Sequence, residues 1–336
     1  MNALQRTLAL QTWLGRLFPA ERWDIEPASA DASFRRYFRV SLPDRGETYV
    51  VMDAPPQRED CRPFIQVAQL LRQAGLNAPE VLAQDLAQGF LLLSDLGSTT
   101  YLAALRENDA DADRLFGDAT DALITWQLAS RPGVLPPYDA ALLRRELELF
   151  PDWYLARHLG LALAPQQREA LQEMFALILA NNLAQPTVYV HRDYMPRNLM
   201  LSAPNPGILD FQDAVYGPVS YDIASLTRDA FISWEEERAL DWIVRYWDKA
   251  RRAGLPVGAE FGDFYRDLEW MGLQRHLKVL GIFARIRHRD GKPGYAEDAP
   301  RFLGYVRAVT ARYRALAPLA QLFDTIDNHL AAQGDR

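Results

Sequence analysis

HRDYMPRN, at residues 191–198, and LDF, at residues 209–211, are the two stretches of the chain that decide its fold. The β-branched and aromatic segment 187–190 precedes the first stretch and the apolar segment 199–201 follows it, so both segments are predicted as strands. ProAsnProGly at 204–207 is a strong turn signal before the apolar residues of the second stretch. The acidic residues of both stretches therefore lie at the ends of short strands, where loops on a rigid support tend to carry functional groups.

Outside residues 187–211, the predicted secondary structure changes near residue 97. Before that point the pattern predicts a small antiparallel sheet with one main helix, and after it apolar residues spaced three and four apart predict helices almost to the end. We therefore predict an α+β fold with two lobes, a small β-rich N-lobe at residues 1–96 and a large, mainly helical C-lobe at residues 97–336. The supporting segments are a hairpin at 37–40 and 48–52, a helix from Pro63 to Gly75, strands at 80–83 and 90–93, and a helix at 166–182.

The composition is that of an ordinary globular protein. Of the 336 residues, 49% are hydrophobic and 24% are charged. The net charge of −7 disfavours a nucleic-acid partner, because binding to nucleic-acid phosphates needs basic groups. Cys61 is the only cysteine, which excludes an intrachain disulfide. The N-terminus lacks the pattern of a signal peptide, and no apolar run approaches the length of a membrane span. We expect a cytoplasmic protein with no membrane partner and no obligate protein partner.

Three side chains of the two stretches have the properties that phosphoryl transfer requires. Asp193 can take or orient the proton of an acceptor hydroxyl, while Asn198 and Asp210 offer the hard oxygen ligands that Mg²⁺ prefers. Taken alone, each aspartate is more often a turn or cap residue, but the ordered strands and turn around them supply the context that the motif requires. His191 is predicted to organise the loop, and Asp222, opening a helix, to cap that helix and brace the loop.

The chain resembles the aminoglycoside phosphotransferase family of the protein-kinase-like superfamily, whose signature is HxDxxxxN followed by a metal-binding aspartate and a downstream aspartate. Within that family it looks most like a branch of amino-sugar kinases of bacterial cell-wall recycling. The resemblance spans most of the chain, and it is carried by SADASFRRYFRV from Ser29, VVMDAPP from Val50, HRDYMPRNLM from His191, DFQDAVYGPVSYD from Asp210 and GLQRHLKVLGIFAR from Gly272.

The resemblance implies ATP and Mg²⁺ as cofactors, with ATP bound between the lobes. It also implies Asp193 as the catalytic base and Asn198 and Asp210 as metal ligands, the roles already reached from the residues. The adenine is expected to bond to the backbone of the segment that joins the lobes, which comprises Ser94, Asp95 and Leu96.

The sequence departs from the family pattern at the phosphate site. Its first lysine is Lys249, so the strand lysine that pairs with ATP phosphates is missing, and Met52 or Asp53 stands roughly in its place. Small hydroxyl residues and arginines that could replace it are Ser29, Ser33, Arg35 and Arg36, with Arg39 close behind. The alternative is that these arginines lie on a solvated basic strand.

The acceptor is predicted to be small, because only ten residues separate Asp210 from Tyr221, too few for the activation segment of a protein kinase. Candidate sugar contacts are aromatic side chains that could stack on a sugar face and polar groups that could bind hydroxyls, namely Trp153, Tyr154, Asp213 and Tyr216. Core packing is the commoner fate of any single aromatic residue.

A stripe of basic residues marks the helix that starts near Gly272. Such a stripe is usually solvated. The alternative is that Arg275 or Arg285 contacts an anionic acceptor, such as the lactyl carboxylate of N-acetylmuramate. The stripe consists of Arg275, Lys278, Arg285 and Arg289.

The resemblance implies transfer of phosphate from ATP to the anomeric hydroxyl of N-acetylmuramate and N-acetylglucosamine, which gives sugar 1-phosphates for peptidoglycan recycling. One alternative keeps the chemistry and changes the acceptor to an aminoglycoside, choline, a hydroxy amino acid or a fructosamine. A second alternative is a nucleotide-binding pseudokinase that acts as an interaction module, an idea prompted by the missing lysine.

Overall fold

The computed structural model describes residues 3–30, 34–292 and 299–334. The chain forms two compact units. The first contains residues up to Thr99 together with Leu199–Asp213, and the second contains Thr100–Asn198 and the residues from Ala214 onward. Among the described residues, no helix combines the length and apolar character needed to cross a membrane.

A five-stranded antiparallel sheet in the order β1-β2-β3-β5-β4 forms the frame of the first unit. Two of its strands are the predicted hairpin, in which Val40 pairs with Tyr49 and Leu42 with Glu47. The turn between them ends at Gly46, whose φ of 64° suits glycine. The strands are β1 (Asp24–Ala30), β2 (Arg36–Leu42), β3 (Glu47–Asp53), β4 (Val81–Asp85) and β5 (Phe90–Ser94).

Two helices belong to the first unit, α1 (Ala3–Leu17) and α2 (Arg62–Gln73). Helix α2 is the predicted one, and Gly75 follows it with a φ of 81°. Helix α1 was not predicted, because the exposed Leu4 and Leu8 obscure the apolar stripe that buries its other face. That face contributes Leu10, Trp13 and Leu14 to a core with Val40, Val51, Phe90 and Leu92.

The segment Leu199–Asp213 joins the first unit through a two-stranded ribbon of β7 (Leu199–Met200) and β8 (Gly207–Ile208). The N–H of Ile208 donates to the carbonyl of Asn77 at 2.7 Å, and the Asn77 side chain reaches Ser202 at 3.1 Å. Phe211 then packs on Phe64 of α2. The residues around Asp210 are thereby tied to the sheet unit.

The second unit is mainly helical. A strand pair, β6 (Thr187–Val190) and β9 (Val215–Pro218), lies among its helices and carries the loop that begins at His191. The predicted strand at 187–190 and the predicted helix at 166–182 are both found, and the predicted α+β class, with a small antiparallel sheet and a mainly helical remainder, is confirmed. The helices are α3 (Tyr101–Glu107), α4 (Ala112–Leu128), α5 (Ala140–Leu147), α6 (Pro165–Leu183), α7 (Tyr221–Thr227), α8 (Glu236–Arg252), α9 (Phe261–Asp290), α10 (Ala299–Arg312) and α11 (Ala317–Gly334), with a π-helical turn at Phe150–His158.

The long helix α9 organises this unit, since α7, α10 and the π-helical turn all pack on it. Its Gly281 allows a close approach, because a Cβ there would lie 2.4 Å from the backbone of Leu149. Apolar residues of α9 such as Leu273, Leu277 and Leu280 form one core with Phe150 and residues of α6, α10 and α11. The helices of this unit therefore share one core around α9.

Candidate active site

The loop after β6 brings Asp193 and Asn198 together in the second unit. Nδ2 of Asn198 donates to the backbone carbonyl of Asp193 at 2.9 Å, and the N–H of Asn198 donates to Met195 in a 3₁₀ turn. Nδ1 of His191 accepts the N–H of Asp193 at 3.3 Å, and the imidazole packs edge-on against Tyr194. Asp193 itself is half-buried.

Asp222, the second residue of α7, supports this loop as predicted, but the predicted helix cap is wrong, because Ser220 occupies the cap position and no side-chain cap hydrogen bond forms there. Its two carboxylate oxygens accept the backbone N–H groups of His191 at 2.7 Å and of Arg192 at 3.0 Å. Full burial raises the pKa of Asp222 to about 7 although these two N–H groups lower it. The loop is strained as well, because Arg192 has a φ of 75°, in the left-handed region that glycine prefers.

A second buried carboxylate, Glu146 of α5, holds the side chain of Arg192. Its Oε1 lies 2.5 Å from Nη2 of Arg192 and 3.1 Å from Nζ of Lys278. Oε2 accepts the hydroxyl of Tyr138, and Nζ of Lys278 lies 3.2 Å from the hydroxyl of Tyr221. We call these five residues the Glu146 cluster. Burial alone would raise the pKa of Glu146, but Lys278 and Arg192 hold it below its ordinary value.

Sequence reasoning missed the Glu146 cluster as a unit. The sequence places Lys278 in a stripe of basic residues that would usually be exposed to solvent. For Lys278 and Arg275 that prediction is wrong, because both side chains are buried. Arg289 of the same stripe is exposed and pairs with Asp290 at 2.6 Å. The available signal was the presence of apolar residues on several faces of helix α9, such as Leu277, Val279 and Leu280, because a helix that is apolar around most of its circumference is buried.

Asp210 lies in the first unit, directly after β8. Its φ of 64° is left-handed, and Nε2 of Gln212 donates to its Oδ1 at 2.9 Å. Arg35 is in electrostatic reach, because Asp210 is among the groups that raise its pKa, after Tyr37 and Glu59, against the lowering effect of burial. Nε of Arg35 also lies 3.6 Å from Glu59. The metal-ligand candidate therefore influences the charge of a phosphate-site candidate in the same unit.

The end of β3 carries a buried anion where a lysine was expected. Asp53 is fully buried, and it accepts Nε of Arg6 at 2.8 Å on one oxygen and Nε of Arg36 at 3.0 Å on the other. Met52 beside it is buried in the core. Of the other predicted phosphate contacts, Ser33 lies outside the described residues, and only the backbone of Ser29 is described, paired with Tyr37 across β1 and β2.

The predicted adenine segment is held by Arg39 of β2. Its guanidinium binds Asp95 through two hydrogen bonds of 2.7 and 3.2 Å and the carbonyl of Gly97 at 2.9 Å. Burial would raise the pKa of Asp95, but Arg39 and the N–H of Gly97 hold it below its ordinary value. Ser94 ends β5, and its backbone N–H donates to Glu80 at 3.0 Å.

The candidate sugar contacts are distributed over several elements. Tyr154 is buried in the helical core and stacks on Phe150, while Trp153 is half-buried against the same core. Tyr216 of β9 meets Tyr189 edge-on, and Asp213 is exposed. Arg275 is buried, and Arg285 is half-buried with a pKa lowered by burial and by Arg289. The roles of these six residues at the sugar remain predictions.

The donor set for a metal ion is also divided between the units, with Asn198 in the second and Asp210 in the first. Among residues 3–30, 34–292 and 299–334, no group of three or more His, Cys, Asp or Glu side chains is arranged to hold a metal. A Mg²⁺ ion that arrives with a nucleotide needs fewer protein ligands, because phosphate and water oxygens complete its coordination.

Comparison with known proteins identifies the family. The model of the phosphotransferase enzyme family matches residues 24–261. An N-acetylmuramate/N-acetylglucosamine kinase from Pseudomonas aeruginosa is 55% identical over 323 residues, covering 94% of each chain. One from Neisseria meningitidis serogroup B is 50% identical over 321 residues, covering 95% of each.

Solved structures agree at the level of the fold. An ethanolamine kinase from Plasmodium vivax has a TM-score of 0.64 at 11% identity, covering 87% of this chain and 84% of its own. The ADP-bound aminoglycoside phosphotransferase APH(2'')-Ib has a TM-score of 0.58 at 14% identity, covering 90% of this chain and 98% of its own. Because the family model spans more than half of the chain and the two relatives match nearly all of it, the chain belongs to the phosphotransferase enzyme family and is a phosphotransferase with a kinase-like fold.

Proposed function

We propose that the protein is a Mg²⁺- and ATP-dependent kinase that phosphorylates the anomeric hydroxyl of N-acetylmuramate and N-acetylglucosamine. The observation that carries the proposal is 55% identity, across 94% of both chains, to a relative named as a kinase of these two sugars. The sugar 1-phosphates that result would serve peptidoglycan recycling, as the sequence resemblance implies.

Asp193 is proposed as the catalytic base. A half-buried carboxylate on a braced loop is accessible to an acceptor hydroxyl yet held in place, which is what positioning of the nucleophile requires. Its main-chain N–H and C=O groups are bonded to His191 and Asn198, so the side chain projects from a backbone with little freedom. His191 and Asp222 are proposed as loop supports through their bonds to the same backbone.

Asn198 and Asp210 are proposed as the protein ligands of Mg²⁺. The donor set fits a hard cation, since it supplies an amide oxygen and a carboxylate. The bond from Nδ2 of Asn198 to Asp193 fixes which end of the amide carries the acceptor oxygen, and Gln212 orients Asp210 through one carboxylate oxygen. When bound, the metal would neutralise charge on the nucleotide phosphates.

Arg35 and Arg36 are proposed to meet the nucleotide phosphates in place of the missing lysine. Arg36 is held at its Nε edge by Asp53 and still exposes 39% of its side chain. Arg35 lies in the electrostatic environment of Asp210, where a phosphate-bound metal is expected. Ser29 and Ser33 are also proposed to contact the phosphates, on the basis of the sequence alone. A planar guanidinium can bind a phosphate through two parallel hydrogen bonds, a mode that lysine lacks.

The adenine is proposed to bond to the backbone after β5. Since the N–H of Ser94 already donates to Glu80, the contacts would fall on Asp95 and Leu96. Arg39 holds this segment at Asp95 and Gly97, which makes it a rigid edge for a flat base. The candidate contacts for the acceptor sugar from sequence are Trp153, Tyr154, Tyr216, Arg275 and Arg285 of the helical unit, together with Asp213 at the end of the segment that belongs to the first unit.

The test is a phosphorylation assay that reports position as well as turnover. Purified protein is incubated with Mg-ATP and a panel of N-acetylated amino sugars, aminoglycosides, choline and fructosamines, and phosphorus NMR identifies the product. We expect an anomeric phosphate from N-acetylmuramate and N-acetylglucosamine only. Phosphate on another hydroxyl, or on another acceptor, contradicts the proposal, and tight ATP binding without transfer to any acceptor favours a pseudokinase.

Asp193→Asn supplies the residue-level control for that assay. The variant is expected to lose about 100-fold to 10,000-fold in kcat, the usual contribution of general base catalysis, with ATP affinity unchanged. Asp241→Asn, which removes an exposed carboxylate from α8 of the same unit, should keep wild-type turnover.

A further inference from the structure

We propose that the Glu146 cluster positions the carboxylate of Asp193 by holding the Arg192 side chain, and through it the peptide that joins Arg192 to Asp193. The inference rests on the proposed function, because it assigns positioning residues to the base of that reaction. Neither Glu146 nor Lys278 needs to touch a substrate in this role.

The backbone at Arg192 explains why a side-chain anchor is needed. A φ of 75° is unfavourable for any residue with a Cβ, and it persists only where the surroundings determine it. Asp222 fixes the N–H of Arg192, and Glu146 fixes the guanidinium. Two buried carboxylates on different helices, α7 and α5, therefore hold one residue from its two ends, and the next residue in the chain is Asp193.

The cluster draws on parts of the second unit that are far apart in sequence. Glu146 comes from α5, Lys278 from α9, Tyr221 from α7, and Tyr138 from the segment before α5. Tyr138 is placed by β9, since its N–H donates to the carbonyl of Tyr216 at 2.8 Å. The packed helices therefore help to fix the conformation of the loop, in addition to the hydrogen bonds within it.

The charges of the cluster favour this arrangement. Burial lowers the pKa of Lys278, but Glu146 and Tyr221 raise it above its ordinary value, so the ammonium stays charged. Arg192 and Lys278 share one carboxylate, and Asp193 contributes to the raised pKa of both. One carboxylate between two cations leaves the Glu146 cluster with a net positive charge, which attracts the carboxylate of Asp193.

In this proposal the main contribution of the Glu146 cluster is conformational. Taking charges out of water offsets most of their attraction, so such clusters add little net stability compared with apolar packing. The second unit contains a matched cluster that allows the two effects to be separated. Glu269 of α9 is also a buried carboxylate bound by two cations, Arg228 and Arg312, and by the hydroxyl of Tyr313.

The test compares Glu146→Gln with Glu269→Gln in the sugar kinase assay. We expect Glu146→Gln to lower kcat about 100-fold, the loss typical of a displaced catalytic group, with the KM for ATP unchanged. Glu269→Gln should keep wild-type kcat after correction for the folded fraction. Equal losses in both variants would mean general destabilisation and would overturn the proposal, as would wild-type kcat in Glu146→Gln.

Arg192→Gly provides a second variant that tolerates the left-handed backbone. Glycine adopts a φ of 75° without strain, so the fold is kept, but it adopts other φ values equally readily and lacks the guanidinium anchor, so the loop is no longer held in one conformation. We expect a loss of kcat similar to that of Glu146→Gln, and no further loss when the two changes are combined, because both remove one anchor. Additive losses would contradict the proposal.

Hydrogen exchange gives a readout that needs no turnover. The peptide that covers residues 187–198 should exchange faster in Glu146→Gln and Arg192→Gly than in the wild type, and at the wild-type rate in Glu269→Gln. If the wild type phosphorylates no sugar, the proposed function fails while this measurement still judges the cluster. Unchanged exchange in both loop variants would overturn the inference alone.

Discussion

Asp53 of β3 accepts a hydrogen bond from Arg36 of β2, with Nε of the arginine 3.0 Å from Oδ2 of the carboxylate. The other carboxylate oxygen binds Arg6 of α1, so one fully buried anion serves two guanidinium groups. An acidic anchor therefore stands where the family resemblance leads one to expect a lysine. The positive charge that could take the place of this lysine is carried by Arg36 on the neighbouring strand β2.

Asp53→Asn is expected to destabilise the protein by about 3 to 5 kcal/mol, because it leaves two guanidinium groups without their buried counter-charge. Urea unfolding of the two proteins measures the difference. Asp60→Asn breaks an exposed pair with Arg62 in the same unit and should cost less than about 1 kcal/mol. Similar costs for both variants would show that the buried position of Asp53 is immaterial.

Arg36→Met should raise the KM for ATP about tenfold or more, since it removes a charged donor to phosphate, and it should leave the KM for the sugar unchanged. Initial-rate kinetics at varied ATP give the answer. Arg45→Met, at the exposed turn of the same hairpin, is the control and should behave as the wild type. An unchanged KM for ATP in Arg36→Met would remove Arg36 from the phosphate site.

Asp222 should make stability depend on pH. Its pKa is about 7 in the folded protein, above the ordinary value of about 3.9 in an unfolded chain, so the folded state binds the extra proton between these values. Stability contributed by Asp222 is therefore complete below about pH 4 and falls as pH rises to about 7, by roughly 4 kcal/mol. Unfolding free energies of wild type minus Asp222→Asn, measured across this range, should decline, and a flat difference would contradict the expectation.

Gly217→Ala should disturb the Glu146 cluster through Tyr138. A Cβ at Gly217 of β9 would lie 2.6 Å from Cβ of Tyr138, so the ring that bonds to Glu146 must move. We expect a loss of about 1 to 3 kcal/mol in stability, together with reduced kcat. Gly117→Ala in α4 is the matched control, because open space surrounds it and alanine should stabilise the helix by about 0.5 to 1 kcal/mol.

Arg285→Ala tests the proposed recognition of the muramate carboxylate. Loss of a charged hydrogen bond should raise the KM for N-acetylmuramate about tenfold and leave the KM for N-acetylglucosamine unchanged. Arg289→Ala, four residues along the same helix and paired with Asp290, is the control. Equal effects on both sugars would dismiss the contact, and Arg275→Ala can be judged by the same criterion.

The local elements were predictable because their signals are local. The hairpin of β2 and β3, helix α2 and strand β6 follow from alternation, turn residues and helix punctuation within a few residues. The loop from His191 to Asn198 was recognisable for the same reason, because its histidine, aspartate and asparagine follow one another within eight residues. Helix α1 was not predicted, because two exposed leucines interrupt the regular spacing of its apolar residues.

The side-chain partners of that loop were not predictable in the same way. Nothing near Arg192 in sequence indicates that it will bind Glu146, which lies 46 residues away, or that Lys278 of a different helix will share that carboxylate. The interpretation of Lys278 as solvated was reasonable from spacing alone and wrong, because helical periodicity does not show which polar face is covered by a neighbouring helix.

The sequence by itself determined the family and its phosphoryl-transfer chemistry, and it predicted Asp193 as the base and Asn198 and Asp210 as metal ligands, because these features depend on residue type and on spacing along the chain. Only the tertiary structure decided what supports them: that Asp53 holds Arg36 where a lysine was expected, and that Glu146 holds Arg192 beside Asp193. The physical reason is that a buried charge needs a partner, and packing of distant elements decides which partner it meets.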